Sequence, residues 1–168
     1  DAAPYASVEY AKNADVKTGT VRYVCQVPAY SDLFCSDYWG SYGNYANHEC
    51  FTACISMALS YLGLDATPGA LGDYWRSRGH YGAPFATTPD DVAFSGATYS
   101  KISLAEAIAR YVGGEGSYSP PIIHLNGYSA NGHYVMIIGQ VSATEYRVLD
   151  PAVKSIYSMT LTNGSTVH

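Results

Sequence analysis

Apolar residues at Phe51, Cys54, Ile55, Ala58, Leu59 and Leu62 recur at i, i+3, i+4 and i+7, which predicts an amphipathic helix ended by Gly63 as its C′ residue. Asn47 is a candidate N-cap and would place Cys50 at the third helical position, at the polar start of the helix. A second helix is predicted from Pro68 to Arg78, capped by Thr67 and stopped by Gly79. A short third begins after Thr88 with Pro89-Asp90-Asp91. A fourth starts at the capping box Ser103-Leu104-Ala105-Glu106 and ends at Gly113-Gly114. The pattern then changes period. Pro121 to Leu125, His133 to Gly139, Glu145 to Leu149 and Lys154 to Leu161 read as strands separated by turns. Helices first and antiparallel strands after describe an α+β fold, with N-terminal helices packed on a C-terminal antiparallel sheet. Residues 1–24 read as an irregular arm with a short strand at Thr20 to Val24. Residues 25–46 are turn-rich and lead into the first helix, so residues 25–168 form a single domain.

Charge narrows the partners. A net charge of −5, with Lys and Arg spread singly, leaves no basic patch for phosphate, so neither nucleic acid nor an anionic membrane is an expected partner. No apolar run approaches the roughly 20 residues of a membrane span. The chain begins Asp1-Ala2-Ala3-Pro4 without methionine, which suits a mature form after signal-peptide removal or a trimmed chain. Its 17 tyrosines against 14% charged residues give a neutral polar surface, and the expectation is a secreted or cell-surface, monomeric protein.

The chain has four cysteines. Cys25 and Cys35 either close a small disulfide loop in an oxidising compartment or stay as two buried thiols. Cys50 and Cys54 share a helix face and would not normally bond to each other. His48, Cys50 and Cys54 lack a matched Cys-x-x-Cys pair, so no metal is expected, and no phosphate loop or serine nucleophile elbow calls for another cofactor.

The chemistry concentrates on three residues. Cys50 stands in the first helical turn, where the helix dipole and free N–H groups favour thiolate over thiol. Cys54 falls on the apolar stripe and is a core residue. His133 follows Gly132 and opens an apolar strand, so one imidazole edge can face a cleft and exchange a proton with Cys50. Asp150, before Pro151, closes the next strand and would hold the imidazole in the useful tautomer. His124, inside an apolar strand, is the reserve base, and His80 in a glycine-rich turn faces solvent.

Taken together, these segments resemble the bacteriocin-leader (double-glycine) peptidases and their free-standing relatives among the papain-like cysteine peptidases. The matching residues are Glu49-Cys50-Phe51-Thr52 through Met57, Leu59, Tyr61, Leu62 and Gly63, then Pro121-Ile122-Ile123, Gly132-His133 to Gly139, and Leu149-Asp150-Pro151. The likeness covers about residues 25–160. It implies a papain-like fold, a bacterial origin, and a peptide or protein substrate with small residues at the scissile bond. Two positions depart from the family. Phe51 stands where a glycine is usual, and no glutamine lies between Gln26 and Cys50 to bind the oxyanion. Asn44 is at the matching distance, with Asn47 or Asp32 as alternatives, and its amide can donate the same hydrogen bond. Gly113-Gly114 resembles the double-glycine signal such peptidases cut, but here it ends a helix.

The expected function is therefore a secreted cysteine peptidase with Cys50, His133, Asp150 and Asn44 as catalytic residues. Two other classes use the same parts. One is a catalytically degenerate module binding peptide or glycan through a tyrosine-rimmed cleft, favoured by Phe51 and the changed oxyanion neighbourhood. The other is a transglutaminase-like acyltransferase, in which thiol, histidine and aspartate also serve.

Overall fold

Every residue from Cys50 to Ser60 in helix α1 (Cys50–Tyr61) is buried, so this helix is enclosed on all sides rather than along one apolar stripe. The computed structural model describes residues 6–11, 14–25, 50–77, 97, 102–113, 118–125, 132–153, 155–161 and 166–167. The polar positions of α1 are small hydroxyls whose hydrogen bonds are met inside the protein. Ser56 Oγ donates to the Ala66 carbonyl at 2.6 Å. Ser60 Oγ donates to the Met57 carbonyl at 2.6 Å and accepts the Arg22 backbone N–H at 2.9 Å. Satisfied in this way, the hydroxyls escape most of the desolvation cost that would otherwise keep them at the surface.

The end of α1 follows its sequence. The Leu64 N–H bonds the Leu59 carbonyl and the Gly63 N–H bonds the Ser60 carbonyl, the two bonds of a Schellman cap, with Leu64 packed on the same cluster as Leu59. Gly63 takes φ 85°, and a Cβ there would meet Thr18 Oγ1 at 2.5 Å. Gly63→Ala is therefore expected to cost about 1–2 kcal/mol from backbone conformation alone, with more from the Thr18 contact, read as a lower urea midpoint at unchanged slope.

The arm is more ordered than its composition indicates. Strands β1 (Ser7–Glu9) and β2 (Thr20–Arg22) pair in parallel, with Val8 opposite Val21. The strand foreseen at Thr20 to Val24 is present, shorter at its end, whereas β1 had no sequence signal. Val21, Tyr23 and Val24 are fully buried in one cluster with Phe51, Met57 and Leu59 of α1. The Gly19 N–H reaches the Tyr61 carbonyl at 2.8 Å, and Arg22 pairs with Asp65 at 2.8 Å.

Helices α2 (Pro68–Ser77) and α3 (Leu104–Gly113) begin where their caps predict. Thr67 Oγ1 accepts the Ala70 N–H at 3.2 Å, and Ser103 Oγ accepts the Glu106 N–H at 3.2 Å. The Glu106 carboxylate is turned to Arg110 one helical turn on, at 2.6 Å. The short helix expected after Thr88 lies outside the described residues.

Strands β3 (Ile122–Leu125), β4 (His133–Gln140), β5 (Glu145–Asp150), β6 (Ser155–Thr160) and β7 (Thr166–Val167) form one antiparallel sheet in the order β6-β5-β4-β3-β7. The first four match the sequence reading to within about a residue, and β7 is an addition at the edge. Ile122, Met136, Ile138 and Leu149 join the cluster around α1, while Ile123, Leu125, Val135, Ile137 and Val148 join a second cluster that includes Ala107 of α3. The sheet is thus covered on both faces, which is why β4 reads as a continuous apolar run instead of alternating. Burying each of these aliphatic side chains stabilises the fold by about 1.5–3 kcal/mol. The fold is mixed α+β, as expected. Because β4 and β5 are antiparallel, the start of one and the end of the other lie at the same end of the sheet.

Candidate active site

Cys50 is the first residue of α1, in the turn whose N–H groups have no intrahelical partner and where the helix dipole is positive. The neighbouring Phe51 ring meets the Tyr134 ring edge-on at 4.8 Å and so docks the start of α1 against the start of β4. Cys50 and Cys54 are both free thiols, and both are buried.

His133 enters β4 from Gly132, which adopts φ 76°. A Cβ on Gly132 would run into the His124 imidazole, so glycine is required on both backbone and steric grounds. His124 in turn lies against the Tyr134 ring, 4.7 Å between centroids, opposite it across the β3–β4 pair.

Asp150 follows from strand register. Met136 stands opposite Leu149, so one step further Asp150 comes diagonal to His133 on the same face of the sheet. The contact is direct, with His133 Nε2 and Asp150 Oδ1 2.7 Å apart. Oδ1 also accepts the Ala152 N–H at 2.8 Å, and Oδ2 accepts the Tyr157 hydroxyl at 2.5 Å. Asp150 is wholly buried and His133 nearly so. With Nε2 committed to Asp150, Nδ1 is the ring nitrogen left for Cys50, whose interaction with the imidazole helps raise its pKa.

The electrostatics reinforce this order. Burial works against a charged His133, but hydrogen bonds to Asp150 and Cys50, with the charges of both, push its pKa up to about 9. Burial likewise works against ionised Asp150. Hydrogen bonds from His133, Tyr157 and Ala152 prevail and hold its carboxyl below the usual value. Cys54 is raised well above an ordinary thiol by burial, then by the charges of Cys50 and Asp150, so it stays protonated. Tyr134 is pushed up to about 12 by burial and by the same two thiols.

These directions give the pair a pH signature. The His133 contribution to stability is fully present below the unfolded pKa of about 6.5 and is lost as pH rises through about 9. The Asp150 contribution is present above its unfolded value, about 3.9, and is lost as pH falls through the lower folded value. The pair therefore stabilises most between about pH 4 and 6.5. Urea midpoints of the wild type are expected to fall from pH 6.5 to 9, and those of His133→Ala to stay level across the same interval.

Of the sequence-predicted residues, the structure brings together Cys50, His133 and Asp150. Asn44 lies outside the described residues, as do its alternatives Asn47 and Asp32, the neighbours His48 and Glu49, and His80. The choice between a Cys25–Cys35 disulfide loop and two buried thiols involves residue 35, which is also outside them. His133, not His124, holds Asp150. Among the described residues no group of three His, Cys, Asp or Glu side chains could hold a metal ion. No described helix is long and apolar enough to cross a membrane.

Sequence reasoning missed Tyr157. The signal was present in the hairpin after Asp150-Pro151, because Asp150 pairs with Ser155 and Val148 with Tyr157, which makes Tyr157 the diagonal neighbour of Asp150.

Compared with protein-family models, with curated proteins and with solved structures, the chain matches none.

Proposed function

We propose that this chain is a cysteine peptidase of papain-like design, hydrolysing peptide or amide bonds through Cys50, His133 and Asp150. The observation that carries the reading is one imidazole shared between a helix-N-terminal thiol and a buried aspartate, with His133 Nε2 2.7 Å from Asp150 Oδ1. A histidine poised as imidazolium beside a thiol is the arrangement that makes sulfur a nucleophile at neutral pH.

In the proposed reaction, Cys50 Sγ attacks the carbonyl carbon of the scissile amide. The oxygen takes up the negative charge beside the Cys50 N–H and the Asn44 amide, the proposed oxyanion donors. His133 gives its proton to the departing amine, which leaves a thioester on Cys50. Water then attacks the thioester while His133 takes a proton from it. The acid is released and the thiolate and imidazolium are restored. Asp150 keeps the imidazole aligned and stabilises its charge throughout. The substrate is a peptide or protein, and the proposed location is secreted or cell-surface.

Iodoacetamide labelling from pH 4 to 9, with modified residues located by mass spectrometry, tests the reading without a known substrate. Cys50 is expected to react well ahead of Cys54, and His133→Ala to slow it by about tenfold or more near pH 6. Labelling of Cys50 that is indifferent to His133 would sink the enzyme reading and leave a binding module. An added primary amine during thioester turnover separates acyl transfer from hydrolysis by its appearance in the product.

A further inference from the structure

Tyr23 lies on the arm, far from Cys50, His133 and Asp150 in sequence, yet its ring is fully buried and its hydroxyl ends at the turn that carries the aspartate. The hydroxyl is 2.8 Å from the Asp150 carbonyl and 2.8 Å from the Val153 carbonyl. A phenol has one proton, so it is shared between the first and last residues of the Asp150-Pro151-Ala152-Val153 turn. Pro151, at the second position of that turn, fixes its own φ but brings no N–H. The turn is held instead by the Ala152 N–H on Asp150 Oδ1, the Ser155 N–H on the Val153 carbonyl, and Tyr23.

The other end of the Tyr23 segment is fixed to α1. Arg22, its neighbour, donates its backbone N–H to Ser60, and the Tyr23 N–H reaches the Glu9 carbonyl of β1 at 2.9 Å. Tyr10 packs its ring on Tyr23, 5.1 Å between centroids. One short piece of chain therefore touches both the helix that begins with Cys50 and the turn that begins with Asp150.

We propose that Tyr23 is a positioning residue, which sets the Asp150 carboxylate against His133 by fixing the turn that carries it. The inference rests on the cysteine-peptidase reading for its catalytic meaning. It does not rest on that reading for its geometry. Among the described residues, the titratable groups that bear on the imidazole include Asp150 and Cys50, and those that bear on Asp150 include His133, Tyr157 and, at longer range, Cys54. Tyr23 meets the turn through the Asp150 and Val153 backbone carbonyls, so it acts by placement rather than by charge.

The test is the titration of His133, followed by NMR of labelled imidazole in the wild type, Tyr23→Phe and Ser60→Ala. Phenylalanine keeps the ring and removes only the hydroxyl. Ser60→Ala loosens the contact between β2 and α1 without touching the Asp150 turn, and so reports a merely structural loss. In the wild type the titration is expected near pH 9, and in Tyr23→Phe it is expected to move toward 6.5 by at least half a unit. Ser60→Ala is expected to lower the melting temperature while leaving the titration in place. Equal titration in the wild type and Tyr23→Phe overturns the proposal, as does an equal shift in Ser60→Ala at matched loss of stability. Cys50 labelling read in parallel keeps the two readings apart. A Tyr23-dependent titration with unreactive Cys50 retains the positioning role and removes the peptidase.

Discussion

Cys50→Ala is expected to leave a folded protein that has lost peptide hydrolysis, with kcat/KM down by about 10⁵-fold or more. The size follows from the proposed role, because without sulfur no thioester could form and neither His133 nor Asp150 would have a covalent step to assist. Removing a buried sulfur from the start of α1 costs some packing, so the melting temperature is expected to fall by only a few degrees. Hydrolysis of a mixed peptide library, read by mass spectrometry, measures the first effect and thermal unfolding the second. Retained hydrolysis in Cys50→Ala would remove Cys50 as nucleophile whatever the state of the fold. Cys54 cannot take its place. It is fully buried four residues further along the helix, and its thiol is held protonated.

Asp150→Asn carries the second-largest expectation, and here activity and stability move together. The amide is nearly the same shape but carries no charge to balance an imidazolium, and turned with its N–H toward His133 it sets a donor against a donor. Activity is expected to drop by about 10²–10⁴-fold. The buried pair is also broken on one side, which typically costs about 3–5 kcal/mol. The two losses separate by pH. The activity loss persists at every pH, whereas the stability deficit against the wild type is expected to narrow as pH rises through about 9, where wild-type His133 gives up its proton. Denaturation midpoints at pH 6 and 10 beside hydrolysis rates make that comparison. A deficit that did not narrow would mean that Asp150 stabilises through its Tyr157 and Ala152 bonds more than through His133.

Much of this architecture was legible along the chain because local rules agreed with one another. Gly63 ended α1, Thr67 and Ser103 began α2 and α3, and the four strands from Ile122 onward fell within about a residue of their predicted places. The Cys50, His133 and Asp150 order was legible too, since a helix start, a strand start and a strand end are each marked by their own residues. What misled was polarity inside α1. The spacing predicts an amphipathic helix, but Ser56 and Ser60, outside its apolar stripe, bond backbone carbonyls and are buried. Strand β1 gave no signal because three residues are too few for a period.

The sequence by itself determined most of the elements, many of their ends and the cysteine, histidine and aspartate of the candidate site, because caps, glycines with positive φ and apolar periodicity act over a few residues. Tertiary structure alone decided which of those residues meet. The β4–β5 register sets Asp150 diagonal to His133, the β5–β6 hairpin brings Tyr157 to the free carboxylate oxygen, and β2 carries Tyr23 to the Asp150 turn. A one-residue slip of β4 would turn His133 to the other face of the sheet while leaving every local signal intact. Register is fixed by the burial of both sheet faces against α1 and α3, a property of the whole fold.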